Sequence, residues 1–172
     1  LMNAGPIIHP PLIMMNAGPL EHFEAWDIHN EGTQPSIRSV TTALDNERIA
    51  VREKLGYKPS HFPLANHYAS EGEWMYGRGA HGKLTDSGDW RENIDLHSHR
   101  YMLEDTRMGL SFIVSVGRWA GQPTPVAEGL LSIASAITGQ DLYAQGRTLE
   151  MLGLDSLSQA QMHSLLTYGI QA

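Results

Sequence analysis

The chain has 172 residues, 41% of them hydrophobic and 18% charged, with a formal net charge of −7 and no cysteine. That length fits one domain with a core of its own. The acidic balance, with only 3 lysines among 12 basic residues, argues against a nucleic-acid groove or a patch for anionic membranes, and the absence of thiols excludes disulfides and cysteine metal sites. No apolar run approaches the roughly 18 residues of a membrane span, and no basic segment leads into an apolar one as in a secretory signal. The sequence therefore reads as a cytoplasmic protein. It opens on Leu1-Met2-Asn3, which marks it as a piece of a longer protein cut near a domain boundary.

Taken in order, the segments predict helices. Pro10-Pro11 opens a short helix through Leu12-Ile13-Met14-Met15, ended by Gly18-Pro19. Pro35-Ser36 opens a long one, with Ile37, Val40, Leu44, Val51 and Leu55 on one side and Gly56 as its stop. A further helix is expected over residues 66–76, then a polar loop over 77–95 rich in glycine (Gly77, Gly79, Gly82, Gly88). The strongest helix runs from about Ser98 to Trp119 and closes at Gly121. Thr124-Pro125 is an N-cap and first-turn pair, followed by Val126, Leu130, Ile133 and Ile137 at helical spacing and a stop at Gly139. Asp141 caps a helix to Leu152-Gly153, and Ser156 starts a terminal one with Leu157, Leu165 and Leu166. No segment alternates with period two, so the fold class is all-α.

One position breaks the pattern. Tyr101, Asp105, Met108, Phe112, Val116 and Trp119 share a helical stripe, and only Asp105 among them is charged. A carboxylate on a buried face costs several kcal/mol unless it is paired and hydrogen-bonded. The best partner is His9, which the following Pro10 holds in extended backbone just ahead of a helix start. Such a pair is either a structural pin or an acid–base device. Arg100, four residues before Glu104, is either half of a surface ion pair or a fork for a ligand carboxylate. Asn3 and Asn16 flank the first helix as cap or turn residues. His97-Ser98-His99 lies at a helix start, where the two rings diverge, and no third ligand is suitably spaced, so no metal site is expected. Gly77, Gly79 and Gly82 follow no strand and are not a dinucleotide fingerprint.

Asn3 with His9-Pro10, then Met14-Met15-Asn16-Ala17-Gly18 and Leu20-Glu21, resembles the opening of the α-helical C-terminal domain of opine dehydrogenases, the octopine/nopaline dehydrogenase group. The likeness continues through Gly32-Thr33-Gln34-Pro35-Ser36-Ile37 and Leu44-Asp45-Asn46-Glu47-Arg48-Ile49-Ala50. It takes in Arg100-Tyr101, Glu104-Asp105, Gly109-Leu110 and Pro123-Thr124-Pro125, and ends with Gly146-Arg147-Thr148-Leu149 and Glu150-Met151-Leu152-Gly153-Leu154. Two positions depart from the family pattern: Gly5, where members often carry a second Asn, and Gln34-Pro35-Ser36, where they often carry Thr-Pro-Ser.

The resemblance implies that residues 1–172 form the substrate-binding and catalytic domain of a two-domain, NAD- or NADP-dependent enzyme. Its N-terminal Rossmann domain, absent from this chain, would bind the cofactor. The reaction would join an amino acid to a 2-keto acid and reduce the imine to a secondary-amine dicarboxylate. The family's catalytic histidine and aspartate fall on His9 and Asp105, Arg100 and Asn3 are the expected substrate contacts, and a homodimer is the assembly to look for. Two rival classes stand beside it. A ketopantoate reductase or hydroxyacid dehydrogenase relative would use a lysine for acid–base work, and Lys54, Lys58 and Lys83 are poorly placed for that. A non-catalytic helical interaction domain would use His9 and Asp105 only as a pin.

Overall fold

The computed structural model describes residues 1–69, 75 and 93–170. Among these residues every regular element is helical: α1 (Gly5–Met15), α2 (Ala17–His22), α3 (Pro35–Lys54), α4 (Ala65–Tyr68), α5 (Tyr101–Leu110), α6 (Ser111–Ala120), α7 (Pro125–Thr138) and α8 (Gln159–Tyr168). The all-α class expected from the capped apolar segments is the class observed. No helix among the described residues is long and apolar enough to cross a membrane.

The core is built around α1. Pro6, Ile7, Ile8 and Pro10 through Met14 are all buried, so this helix is apolar around most of its circumference, as a central helix must be. Helices α2, α3, α5 and α7 pack against it. The sequence places its start at Pro10, with His9 extended; the structure starts it at Gly5 and encloses Pro10 and Pro11 within it. An interior proline removes an amide donor and crowds the carbonyl four residues back, at about 3 kcal/mol. Burial of Ile7, Ile8, Leu12, Ile13 and Met14, at about 1.5–3 kcal/mol per side chain, outweighs both prolines. His9 therefore lies inside α1 rather than in extended backbone ahead of it.

On α3 the expected positions Ile37, Leu44 and Val51 are buried. Gly56 ends it at φ 83°, with Tyr57 N–H donating to Arg52 O at 3.0 Å, a Schellman closure. The same face holds an ion pair that hydrophobic periodicity does not announce. Arg48 Nε donates to Asp45 Oδ1 at 2.7 Å and Arg48 Nη2 to His61 O at 2.8 Å, while Asp45 Oδ2 accepts Leu64 N–H at 2.7 Å. These bonds fasten α3 to the segment leading into α4.

The helix expected from Ser98 to Trp119 is one rod with two windings. Its first ten residues, α5, are wound as a π-helix, an arrangement frequent at functional sites. Thr106 Oγ1 donates to Tyr101 O, five residues back, at 2.8 Å. Helix α6 continues as an ordinary α-helix. Helix α7 begins at Pro125 as expected, but Thr124 makes no side-chain cap. Glu47 of α3 reaches across instead, accepting Val126 N–H at 2.7 Å and Ala127 N–H at 3.0 Å.

The helix expected from Asp141 to Gly153 does not form; the segment is a series of turns. Asp141 caps only the first, accepting Ala144 N–H at 2.9 Å. Gly146 then lies hard against the Ser111 side chain and Arg107 O, and Leu149 N–H donates to Ser115 Oγ at 2.8 Å. The backbone is thus fastened to α5 and α6 and cannot follow its own helical ladder. The terminal helix starts at Gln159 rather than Ser156, because Ser158 and Gln161 form a reciprocal capping box. The helix expected over 66–76 appears as the single turn α4; residues 70–74 and 76 lie outside the described residues, as do residues 77–92 of the expected loop.

Candidate functional site

The packing of α1 against α5, the most extensive helix pair among the described residues, brings His9 and Asp105 together. His9 Nδ1–H donates to Asp105 Oδ2 at 2.7 Å, with side-chain exposures of 18% and 10%. The close approach depends on two glycines. A Cβ on Gly5 would collide with Asp105 Oδ1, and a Cβ on Gly109 would collide with the Pro6 ring. Gly5 stands four residues before His9 and Gly109 four after Asp105, so each lies one turn from its partner on the same face.

His9 is shared by two cavities. The larger, about 500 Å³, is lined by His9 and Asp105 together with Asn3, Gly5, Arg100 and Arg147. Glu104, Met108 and Gly109 complete its α5 wall. The smaller, about 100 Å³, lies between His9, His29, Thr33 and Arg38, with His67 and Tyr68 of α4 at its other side. Burial pushes the Tyr68 phenol above its ordinary range, against the opposing pull of Arg38, whose guanidinium sits 4.7 Å from the phenol ring centroid. The larger cavity has two arginines and the His9 imidazole in its lining, residue types suited to a small carboxylate ligand.

Both readings of Arg100 have a counterpart in this geometry. Its side chain is 65% exposed and stands 3.5 Å from Glu104, a solvent-facing pair of little energetic weight, and it also lines the larger cavity. Asn3 lines the same cavity, and its Oδ1 accepts Gly5 N–H at 3.1 Å. Asn16 lies elsewhere. Buried at the end of α1, it donates through Nδ2 to Leu12 O and Gly32 O at 2.9 and 3.2 Å and accepts Trp26 Nε1–H at 2.9 Å. Sequence reasoning passed over Gly5 and Gly109 as positioning residues, although their one-turn spacing from His9 and Asp105 is visible in the chain. It also passed over Arg147, which no local pattern distinguishes. Among the described residues no three His, Cys, Asp or Glu side chains gather as a metal site.

The model of the α-helical domain of NAD/NADP octopine/nopaline dehydrogenases matches residues 1–138. The chain belongs to this family. The chain is 31% identical over 175 residues to the opine dehydrogenase of Arthrobacter sp., covering 95% of this chain and 45% of that protein. It is 24% identical over 166 residues to the vitopine synthase of Allorhizobium ampelinum, covering 88% of this chain and 42% of that protein. The chain thus spans less than half the length of these curated relatives. His9, Asp105, Asn3 and Arg100 all fall within the matched residues.

Proposed function

We propose that this chain is the substrate-binding and catalytic half of an NAD(P)H-dependent opine dehydrogenase, an oxidoreductase joining an amino acid to a 2-keto acid. The observation that carries the proposal is the 2.7 Å His9–Asp105 contact in the wall of a cavity that also presents Arg100 and Arg147. The likeness to an opine dehydrogenase and a vitopine synthase supports it.

Condensation of an amine with a keto carbonyl requires that the carbonyl oxygen be protonated before it leaves as water. An imidazole suits that task, because its charge changes near neutral pH. With Nδ1–H committed to Asp105, Nε2 is the position at which His9 exchanges a proton. Asp105 fixes that tautomer and balances the positive charge when both ring nitrogens are protonated. Arg100 and Arg147 would draw in substrate carboxylates, which the −7 net charge of the chain would otherwise repel. Reduction of the imine would draw its hydride from a nicotinamide cofactor. The described residues do not fit that dinucleotide, since none of them forms a strand leading into a glycine-rich helix start. NAD or NADP is assigned instead to an N-terminal Rossmann domain of the same protein. The lysine-dependent alternative has less support: Lys54 and Lys58 are exposed, and no described lysine lines either cavity at His9.

The test is turnover in the full-length enzyme. His9→Gln is expected to lower kcat by about 10²–10⁴, the scale of lost acid–base catalysis. Asp105→Asn, close to isosteric, should also lose activity while remaining folded. A pin would behave otherwise, with lower melting temperatures and near-normal kcat in the surviving folded enzyme. Normal turnover in folded His9→Gln would end the catalytic assignment.

A further inference from the structure

Helix α5 holds the His9 ring at two places. Besides the Asp105 contact at its edge, the Tyr101 ring lies flat against its face, with centroids 3.7 Å apart and planes 12° from parallel. Tyr101 is buried, and its hydroxyl is 3.3 Å from His29 Nε2. The His29 ring in turn meets His9 edge-on at 5.8 Å. His99 stands edge-on to Tyr101 at 4.5 Å, and its Nδ1 accepts the Tyr101 backbone N–H at 3.2 Å. The loop carrying His29 is itself fastened. Asp27 Oδ1 accepts the backbone N–H groups of His29 and Asn30 at 3.1 Å, and Asn16 ties Trp26 and Gly32 to the end of α1.

We infer that Tyr101 and His29 are positioning residues for His9, Tyr101 fixing the plane of the imidazole and His29 anchoring the Tyr101 hydroxyl. The inference rests on the acid–base role proposed above. A single hydrogen bond at Nδ1 holds one corner of a ring and leaves it free to rock about that bond. Stacking removes the rocking, and the phenol is held in turn by a loop tied to the helix that bears His9. Edge and face are gripped by residues four apart on α5, so one rigid element sets both. Misplacing a catalytic group by about 1 Å costs up to about a hundredfold in rate, which is the sensitivity such a frame answers.

The experiment uses the full-length enzyme with Tyr101→Leu, Tyr101→Phe, His29→Gln and the Tyr101→Phe/His29→Gln double variant. Melting temperatures establish which are folded. Tyr101→Leu should lower kcat about tenfold or more with both KM values within about twofold, and Tyr101→Phe should recover most of that loss. Tyr101→Phe and His29→Gln should each cost about two- to threefold in kcat, and the double variant no more than either single, because both remove one bond. The His9 ring-proton NMR resonances should move downfield in Tyr101→Leu, where the stacked ring is gone, and stay near their wild-type positions in Tyr101→Phe. Wild-type kcat and unmoved His9 resonances in folded Tyr101→Leu would overturn the role of Tyr101. Raised KM with equal losses in the Leu and Phe variants would make Tyr101 a substrate contact instead. If Tyr101→Leu does not fold, additive losses or no loss in the Tyr101→Phe and His29→Gln pair would overturn the inference. If the enzyme forms no opine, or His9→Gln turns over normally, the acid–base reading fails; the resonances still decide whether Tyr101 holds the ring.

Discussion

At the scale of single residues, the site depends on what is absent at Gly5. Asp105 can approach His9 because the helix wall beside its Oδ1 carries no side chain. Asp105 has no easy retreat, being 10% exposed and bound to His9 Nδ1. Gly5→Ala is therefore expected to push the carboxylate off the imidazole, lowering kcat about tenfold to a hundredfold, with about 1–3 kcal/mol of overpacking cost. Kinetics and melting curves on that one variant check both figures. Arg100 makes the opposite case, an exposed residue whose worth lies in geometry. If it clamps the keto-acid carboxylate, Arg100→Lys keeps the charge, loses the planar fork and should raise the keto-acid KM about tenfold, since charge-assisted bonds are worth about 1.5–3 kcal/mol. An unchanged KM would leave only the surface pair with Glu104. Of these features, Asp105 is legible in the sequence because a carboxylate on an apolar stripe demands a partner. Gly5 is legible only as a residue one turn before His9; that it leaves room for a carboxylate 100 positions away is not.

At the scale of elements, start and stop signals act locally and are read well, while satisfaction of the ends is often tertiary. The starts at Pro35 and Pro125 and the stops at Gly56, Gly121 and Gly139 are where the sequence puts them. The start of α1 is misread because proline chemistry argues for Pro10, whereas burial of Ile7 and Ile8 carries the helix back to Gly5. The Asp141–Gly153 segment is misread because its pairing with α5 and α6 is long-range and leaves no periodic trace. At α7 the Thr-Pro signal is correct for position and wrong for mechanism: the amides are capped by Glu47, about 80 residues earlier, with both carboxylate oxygens engaged. A carboxylate at a helix N-terminus satisfies orphan N–H groups and meets the positive end of the helix dipole. Glu47→Ala should then cost about 1–2 kcal/mol, a fall in melting temperature of about 2–8 °C for a domain of this size. Thr124→Ala should cost less, since Thr124 Oγ1 is buried without a hydrogen-bond partner among the described residues. Thermal melts of the two variants side by side distinguish tertiary capping from local capping.

At the scale of the whole molecule, the proposed function makes the described helices one wall of a reaction site. The larger cavity at His9 is lined by Arg100 and Arg147 beside the His9–Asp105 pair. Dinucleotide binding has a different physical requirement, a parallel strand delivering the chain into a glycine turn whose backbone N–H groups and helix dipole meet the pyrophosphate. The described residues form helices joined by turns and loops, and the residues lining both cavities at His9 include no glycine-rich cradle for two phosphates. The relatives' greater length, of which this chain covers 45% and 42%, leaves room for such a unit elsewhere in the protein. The 172-residue chain alone should therefore bind NADH and NADPH far more weakly than the full-length protein, with dissociation constants above about 1 mM, the affinity expected when only about 4 kcal/mol of contact remains. Calorimetric titration of both cofactors into the chain and into the full-length protein makes the comparison. Micromolar binding to the chain alone would show that helical residues grip the dinucleotide directly, and would overturn the division of labour between a helical substrate half and a separate cofactor half.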